Sequence, residues 1–388
     1  MMKKLTFGGW YQRTTLHLTE VYQFLSQGTS NLDLSKESLE ANLFQLDIKS
    51  VKRVSDYLEY IEVITNSKIK IKYYEDGLYL FEILSDTIEE DSQKLKDYFE
   101  KNWKPAIDYL FSLGAPTPKI LSNLKDDHPV VIGELSKSPG KEKVNESLYG
   151  KIYSDILSKK ARVIKTKKFI LVFISTRKKE DLDSLVEMQI FFREFKWQLH
   201  RYLNIHRNIW EEISQIKEKK QIRGKDADEY RLKLDSYQKT IRLISNRINQ
   251  MSVYAKTRSS LSKYLKVEEE LVSLFQYKYE DLFNSLEYIK EIWKMTLDYV
   301  DSAIQMINEI KTKTAVSGIK SIQLLTSIGA IAGVVRLASP NAIPSIDKSV
   351  AIFLICLFGI SYLIDWSLKF FTNYRKYQLK FVEQTKDI

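Results

Sequence analysis

The sequence predicts an α+β cytoplasmic N-terminal domain, a long α-helical stalk or coiled coil, and two C-terminal transmembrane helices. Three observations carry that prediction. Strand-period hairpins lie before residue 180, apolar residues at helical spacing fill 181–313, and two uncharged apolar stretches, 321–335 and 350–364, stand near the end of a chain otherwise dense in charge. The expected boundaries are 1–180 for the α/β domain, 181–313 for the helical bundle and stalk, 314–338 and 349–368 for the two spans, 339–348 for an external loop, and 369–388 for a basic cytoplasmic tail.

The N-terminal domain is read from turn chemistry. Residues 69–74 alternate Ile and Tyr with Lys, Glu75-Asp76-Gly77 supplies a turn, and 78–83 is apolar again, which predicts a hairpin. Residues 129–133 predict a short strand, and 161–166 with 169–175 predict a second hairpin around Lys167-Lys168. Between them, 86–111 reads as a helix that Pro105 kinks or divides, because proline lacks the amide proton and clashes with the preceding turn. Asp126-Asp127 and 136–144, with Pro139-Gly140, read as loops.

Beyond residue 180 proline disappears and glycine survives only at Gly224 until Gly318. Met188, Phe191, Phe192, Phe195, Leu199, Tyr202, Ile205, Ile209, Ile213 and Ile216 trace one helix face, and Leu234, Tyr237, Ile241, Ile244, Ile248 and Met251 a second. A third run, Leu282, Leu286, Ile289, Trp293, Leu297, Val300, Ile304 and Ile307, steps by threes and fours as coiled coils do. An ordinary helical bundle shows the same spacing.

The apolar stretches predict a membrane hairpin. The second, 349–368, is long enough to span, with Asp365 its single charge near one end. The first spans only from about 314 to 337, with Lys320 and Arg336 extending to the interfaces. Lysines and arginines flank the outer ends of both, so the positive-inside rule places both termini in the cytoplasm and the protein in the plasma membrane as a multi-pass chain. Ser317, Lys320, Gln323 and Ser327 fall on one face of the first span and are candidate pore-lining residues. Gly329 and Gly333 form a small-xxx-small pair suited to close helix approach.

The formal net charge of +10 fits nucleic acid, anionic lipid, or the inner flank of a membrane protein, and nothing in the motifs points directly to nucleic acid. The single cysteine, Cys356, excludes a disulfide framework within one chain. The histidines, His17, His128, His200 and His206, are scattered, and His200 and His206 do not share a helix face. Residues 133–141 lack the glycine spacing of a phosphate loop, with Glu142 where a hydroxyl is required. No nucleophile elbow or dinucleotide fingerprint occurs, so a non-enzyme without a bound cofactor is expected. Basic clusters at 159–168 and 217–225, and the run Gly8-Gly9-Trp10-Tyr11-Gln12-Arg13-Thr14-Thr15, offer cations and aromatics to a small acidic or nucleotide ligand; Trp10, Arg13, Lys165, Lys167 and Lys168 are the candidate binding residues. Solvated faces and a strand-to-helix connection account for the same residues.

The stretch 297–332, with Ser302, Asn308-Glu309-Ile310 and 321–326 leading into Ile328 and Ile331, resembles the stalk-to-pore sequence of the CorA-type magnesium transporter superfamily over roughly the last 130 residues. The resemblance implies a homo-oligomeric ion channel or transporter in a lipid bilayer, gated by its cytoplasmic domain, with a divalent cation as its ligand. The family's Gly-Met-Asn loop is missing: 338–344 reads Ala-Ser-Pro-Asn-Ala-Ile-Pro, and only Asn341 stands as a loop candidate. Divergent members without the motif include membrane effectors of CRISPR-type antiviral defence, so a nucleotide-activated effector is an alternative, and a membrane-tethered scaffold is a third. The identity of a bound metal is left open.

Overall fold

The computed structural model describes residues 3–11, 17–113, 128–176, 178–218 and 221–337, with scattered positions between 352 and 378. Nine strands form one mixed sheet in the order β2-β3-β4-β5-β1-β6-β9-β8-β7. They are β1 (Lys3–Trp10), β2 (Ile48–Val54), β3 (Tyr60–Thr65), β4 (Lys70–Tyr74), β5 (Leu78–Ser85), β6 (Val130–Leu135), β7 (Ile152–Leu157), β8 (Ala161–Thr166) and β9 (Phe169–Ile174). Every neighbouring pair is antiparallel except β6 with β9, which run parallel from Val130↔Phe169 to Leu135↔Ile174. The expected hairpins are β4–β5, turning at Glu75-Asp76-Gly77, and β8–β9, turning at Lys167-Lys168.

Strand β1 holds the centre. It pairs along its whole length with β5, from Lys3↔Ser85 to Trp10↔Leu78, and on its other edge with β6 through Thr6↔Val131. Leu5 and Phe7 enter a continuous apolar core with helices α1 (Leu18–Gln27), α2 (Lys36–Gln45), α3 (Ile88–Tyr98) and α4 (Lys104–Leu110). The alternate residues face helix α6 (Lys179–Glu218), which follows the short α5 (Glu146–Tyr149). A Cβ at Gly8 would lie 2.6 Å from the Tyr79 carbonyl oxygen and 3.4 Å from Ile190 Cγ2, and one at Gly133 would lie 3.2 Å from Leu182 Cδ2, so missing side chains let α6 approach the sheet.

The helix expected over 86–111 is divided, as Pro105 requires, by a π-turn at Phe99–Trp103 between α3 and α4. The wider turn brings both Phe99 and Trp103 into the core, at 5% and 0% exposure.

Helices α7 (Ala227–Tyr264), α8 (Glu268–Phe275) and α9 (Tyr279–Leu337) complete the helical part, with β10 (Gln221–Arg223) paired antiparallel to β11 (Lys376–Gln378). Contacts separate two compact units, Met1–Ile205 with Leu243–Ile292, and His206–Arg242 with Trp293–Ile388. In the first, Arg258 of α7 is fully buried, paired with Asp76 and Glu187 and stacked over the Tyr74 ring. In the second, His206 Nε2 lies 2.7 Å from Thr296 Oγ1, Trp293 packs edge-on to the His206 ring, and Gln238 Nε2 donates to Asp301 Oδ1 at 2.5 Å.

The α6 positions read from the sequence, Met188 through Ile216, are all buried. In α9 the buried seam is Leu282, Leu286, Ile289, Trp293, Thr296, Val300, Ala303 and Ile307, whereas Leu297 and Ile304 are half-exposed. The true seam keeps a strict 4-3 alternation through a threonine and an alanine, and the bulkier neighbours drew the sequence reading off it. From Leu282 to Ile307 this seam is buried within the single chain, as in the ordinary helical bundle that shares the spacing, and the expected coiled-coil stalk is corrected to packed helix there.

The expected transmembrane helices are also corrected. No helix among the described residues is long and apolar enough to cross a membrane. The physical reason is visible in α9: its uncharged run, 321–335, is fifteen residues between Lys320 and Arg336, rising about 22 Å against a hydrocarbon core of roughly 30 Å, with Gln323 and Thr326 inside it. The plasma-membrane multi-pass placement and the membrane, channel and ion-transport reading have no support in these helices. The expected loop 339–348, including Asn341, lies outside the described residues, as does most of 349–368. Among the described residues, a Cβ at Gly329 or Gly333 would meet nothing within 4 Å.

Candidate functional site

The expected binding residues do not converge. Trp10 is 6% exposed; its indole Nε1–H donates to the Asp76 carbonyl at 2.6 Å and its ring packs on Phe191 at 4.9 Å, which leaves no face for a stacked ligand. Arg13 lies outside the described residues. Lys167 and Lys168 are exposed at the β8–β9 turn. Within the basic stretch 159–168, Arg162 is committed to Asp155 by paired contacts of 2.8 and 2.6 Å, and Lys160 lies 3.8 Å from Glu270. The pore-lining candidates Ser317, Lys320, Gln323 and Ser327 are all positions of α9. Gln323 and Ser327 are exposed, and the Ser327 hydroxyl donates back to the Gln323 carbonyl at 2.7 Å, a local satisfaction typical of helical serine.

Lys165 is the exception. It projects from β8 over the Phe275 ring, its Nζ 5.6 Å from the centroid. Burial, followed by the neighbouring Lys196 ammonium, pushes its pKa below the ordinary lysine value. A half-buried lysine with a second cation beside it is a charge arrangement that folding alone does not favour.

Lys196 leads to a cleft of ≈ 250 Å³ in the first unit. One wall is a face of α6 in which Lys196, Leu199, His200 and Leu203 recur at helical spacing. The other is the start of α9, with Lys278 just before it and Asp281, Leu282, Ser285 and Ile289 on its first turns. Gln276 closes the end between α8 and α9.

The joint that places these groups is tightly made. Gln276 takes a left-handed conformation, φ 58°, and its N–H bonds back to the Val272 carbonyl at 3.1 Å, ending α8. Phe275 and Tyr277 stack with centroids 5.8 Å apart, and burial pushes the Tyr277 phenol well above its ordinary pKa, so it stays neutral. The Tyr279 hydroxyl lies 2.7 Å from Ser262 Oγ, fixing the first residue of α9 to α7. Lys278 is thereby held in position at the mouth of the cleft.

Among the described residues, none of Lys165, Lys196 and Lys278 has a carboxylate within ion-pair distance. The cleft therefore combines two exposed lysines outside ion-pair contact, Lys196 and Lys278, a largely buried aliphatic floor, and one exposed carboxylate with an adjacent hydroxyl, Asp281 and Ser285. Such a pair of lysines concentrates anions. Among the described residues no group of three or more His, Cys, Asp or Glu side chains is placed to hold a metal ion.

Lys196, Lys278, Gln276, Asp281 and Ser285 were not legible as a site in the sequence. They are ordinary polar positions of α6, of the α8–α9 joint and of the start of α9, distant in sequence, and only the fold brings them together. Compared with known proteins, the chain matches no family model, no curated protein and no solved structure.

Proposed function

We propose that this chain is a ligand-responsive binding protein whose cleft between α6 and the start of α9 takes a small acidic ligand. The observation that carries the reading is the placement of Lys196 and Lys278 at one cleft, with Lys165 beside Lys196 over the Phe275 ring, and no carboxylate in ion-pair contact with any of the three among the described residues. Lysines gathered at one cleft repel one another, as Lys165 and Lys196 do, and that repulsion is relieved when an anion arrives.

The response follows from what the cleft touches. An anion bridging Lys196 and Lys278 ties α6 to the joint at Gln276, the point from which the 59-residue helix α9 departs. Ligand occupancy thus biases the start of that helix relative to α6, and a ligand shifts a conformational equilibrium only through such differential contacts.

The test is isothermal titration of the full chain with pyrophosphate and with nucleotides, beside the variant Lys196→Glu/Lys278→Glu. Binding by the native chain that the double variant loses, with its melting temperature and circular dichroism retained, supports the reading. Equal binding by both removes the cleft as the site, and no binding of any anion by the native chain removes the function.

A further inference from the structure

We infer that Lys165 is a nucleophilic amine that condenses with a carbonyl compound bearing a negative group, the negative group being held by Lys196. This rests on the anion-binding reading above and adds a covalent step beside that cleft.

The fold treats its other inward lysines differently. On β1, Lys3 Nζ lies 3.1 Å from Glu134 and 3.0 Å from the Tyr149 hydroxyl, and Lys4 Nζ lies 2.9 Å from Glu82 and 2.8 Å from Asp183. Lys165, half-buried on β8, has no carboxylate within ion-pair distance among the described residues. Helix α8 packs against β8 and sets the Phe275 ring 5.6 Å from Lys165 Nζ. The one buried carboxylate of that helix, Glu270, faces Lys160 at 3.8 Å instead. A phenyl face attracts a cation by only about 0.5–1 kcal/mol at exposed sites, so it does not replace a carboxylate. Helix α6 then adds a second ammonium, Lys196, which is exposed.

Burial and a neighbouring cation both work against the proton on Lys165. That matters because only the free amine is a nucleophile, and a solvated lysine with a pKa near 10.4 is roughly 0.1% free amine at pH 7.4. A lysine desolvated beside another cationic group is the arrangement that favours Schiff-base formation. The Nζ lone pair attacks the carbonyl carbon, a C–N bond forms, and the carbonyl oxygen leaves with both Nζ hydrogens as water. No electrons are exchanged, and water reverses the step. The negative group on the reactant relieves the repulsion between Lys165 and Lys196 while the carbon is attacked.

The experiment is reductive trapping on the full chain near neutral pH, using glyoxylate or its uncharged counterpart acetaldehyde with cyanoborohydride, followed by peptide mass mapping. With limiting glyoxylate, Lys165 is expected to be labelled at least tenfold more than Lys167 and Lys168, which are exposed on the adjoining turn. Lys196→Gln is expected to lower the glyoxylate-to-acetaldehyde preference of Lys165, normalised to Lys167, at least fivefold. Labelling of Lys165 no greater than that of the two turn lysines overturns this inference, and pyrophosphate binding by the same preparation then leaves the anion reading standing. Selective labelling by both aldehydes alike, unchanged in Lys196→Gln, overturns the role given to Lys196 and the negative group. Equal labelling of all three lysines together with no pyrophosphate binding overturns both readings.

Discussion

Arg258 and Asp76, 182 residues apart, form a forked ion pair in which Nε lies 2.6 Å from Oδ2 and Nη2 3.2 Å from Oδ1, with side-chain exposures of 0% and 1%. The third nitrogen, Nη1, reaches Glu187 Oε1 at 2.5 Å, and Tyr74 donates its hydroxyl to the other oxygen of the same glutamate. The β4–β5 turn, α6 and α7 are joined at this one guanidinium.

Replacing Arg258 by Met is therefore expected to destabilise the chain by about 3–5 kcal/mol, because it strands a carboxylate in the interior. Arg258→Lys keeps the charge and loses the fork, so it is expected to fall between the two. Urea denaturation of the three proteins checks the order; a Met variant as stable as the native chain would sink the assignment.

The glycines of β1 and α9 make a contrasting pair. Gly8→Ala places a methyl 2.6 Å from the Tyr79 carbonyl and is expected to cost about 1–3 kcal/mol through forced backbone movement. Gly333→Ala meets nothing within 4 Å on a helix and is expected to be neutral or to stabilise by about 0.5–1 kcal/mol. Thermal melts of the two single variants decide it, and a destabilised Gly333→Ala would reveal a packing partner for that face.

Glu194 ties pH to stability. Burial alone would raise its carboxyl; Arg193 and His128, at 2.8 and 3.1 Å, outweigh burial and hold it below the ordinary glutamate value. A depressed carboxyl contributes stability that is complete above the unfolded value, about 4.3, and is lost as pH falls through the lower folded value. Glu194→Gln is expected to cost about 1–3 kcal/mol near neutrality and to flatten the acid limb of stability against pH. Parallel acid limbs in the two proteins would show that Glu194 does not couple to folding.

Lys165 works in the opposite sense. Its folded pKa lies below the unfolded one, so the unfolded chain binds more protons across that window and stability rises with pH through it. At neutral pH the charged side chain opposes folding. Lys165→Met is expected to stabilise by about 0.5–2 kcal/mol while weakening anion binding, the trade common at binding sites. Loss of stability together with unchanged binding would place Lys165 in the scaffold instead.

Local chemistry made parts of this fold readable. Glu75-Asp76-Gly77 turns where it should because Gly77 adopts φ 86°, a conformation glycine takes without strain. The helix α6 was legible because its apolar period is unbroken. Strand β1 was not, since Gly8-Gly9 resembles a loop and becomes a strand only when α6 and Tyr79 demand the space. The α9 seam was read one position off at Thr296 and Ala303, where small residues are buried beside larger ones that are half-exposed. The cleft depends on pairing distant helices, and periodicity carries no information about that pairing.

The central place of β1 has a consequence for synthesis. Both neighbours, β5 and β6, are translated later, and β6 begins roughly 120 residues after β1 ends. At about 5–20 residues per second the ribosome takes on the order of 6–24 s to deliver it. For that interval an apolar strand has one edge or both without a mate, which makes the nascent chain a natural client for a holding chaperone until the second half of the sheet emerges.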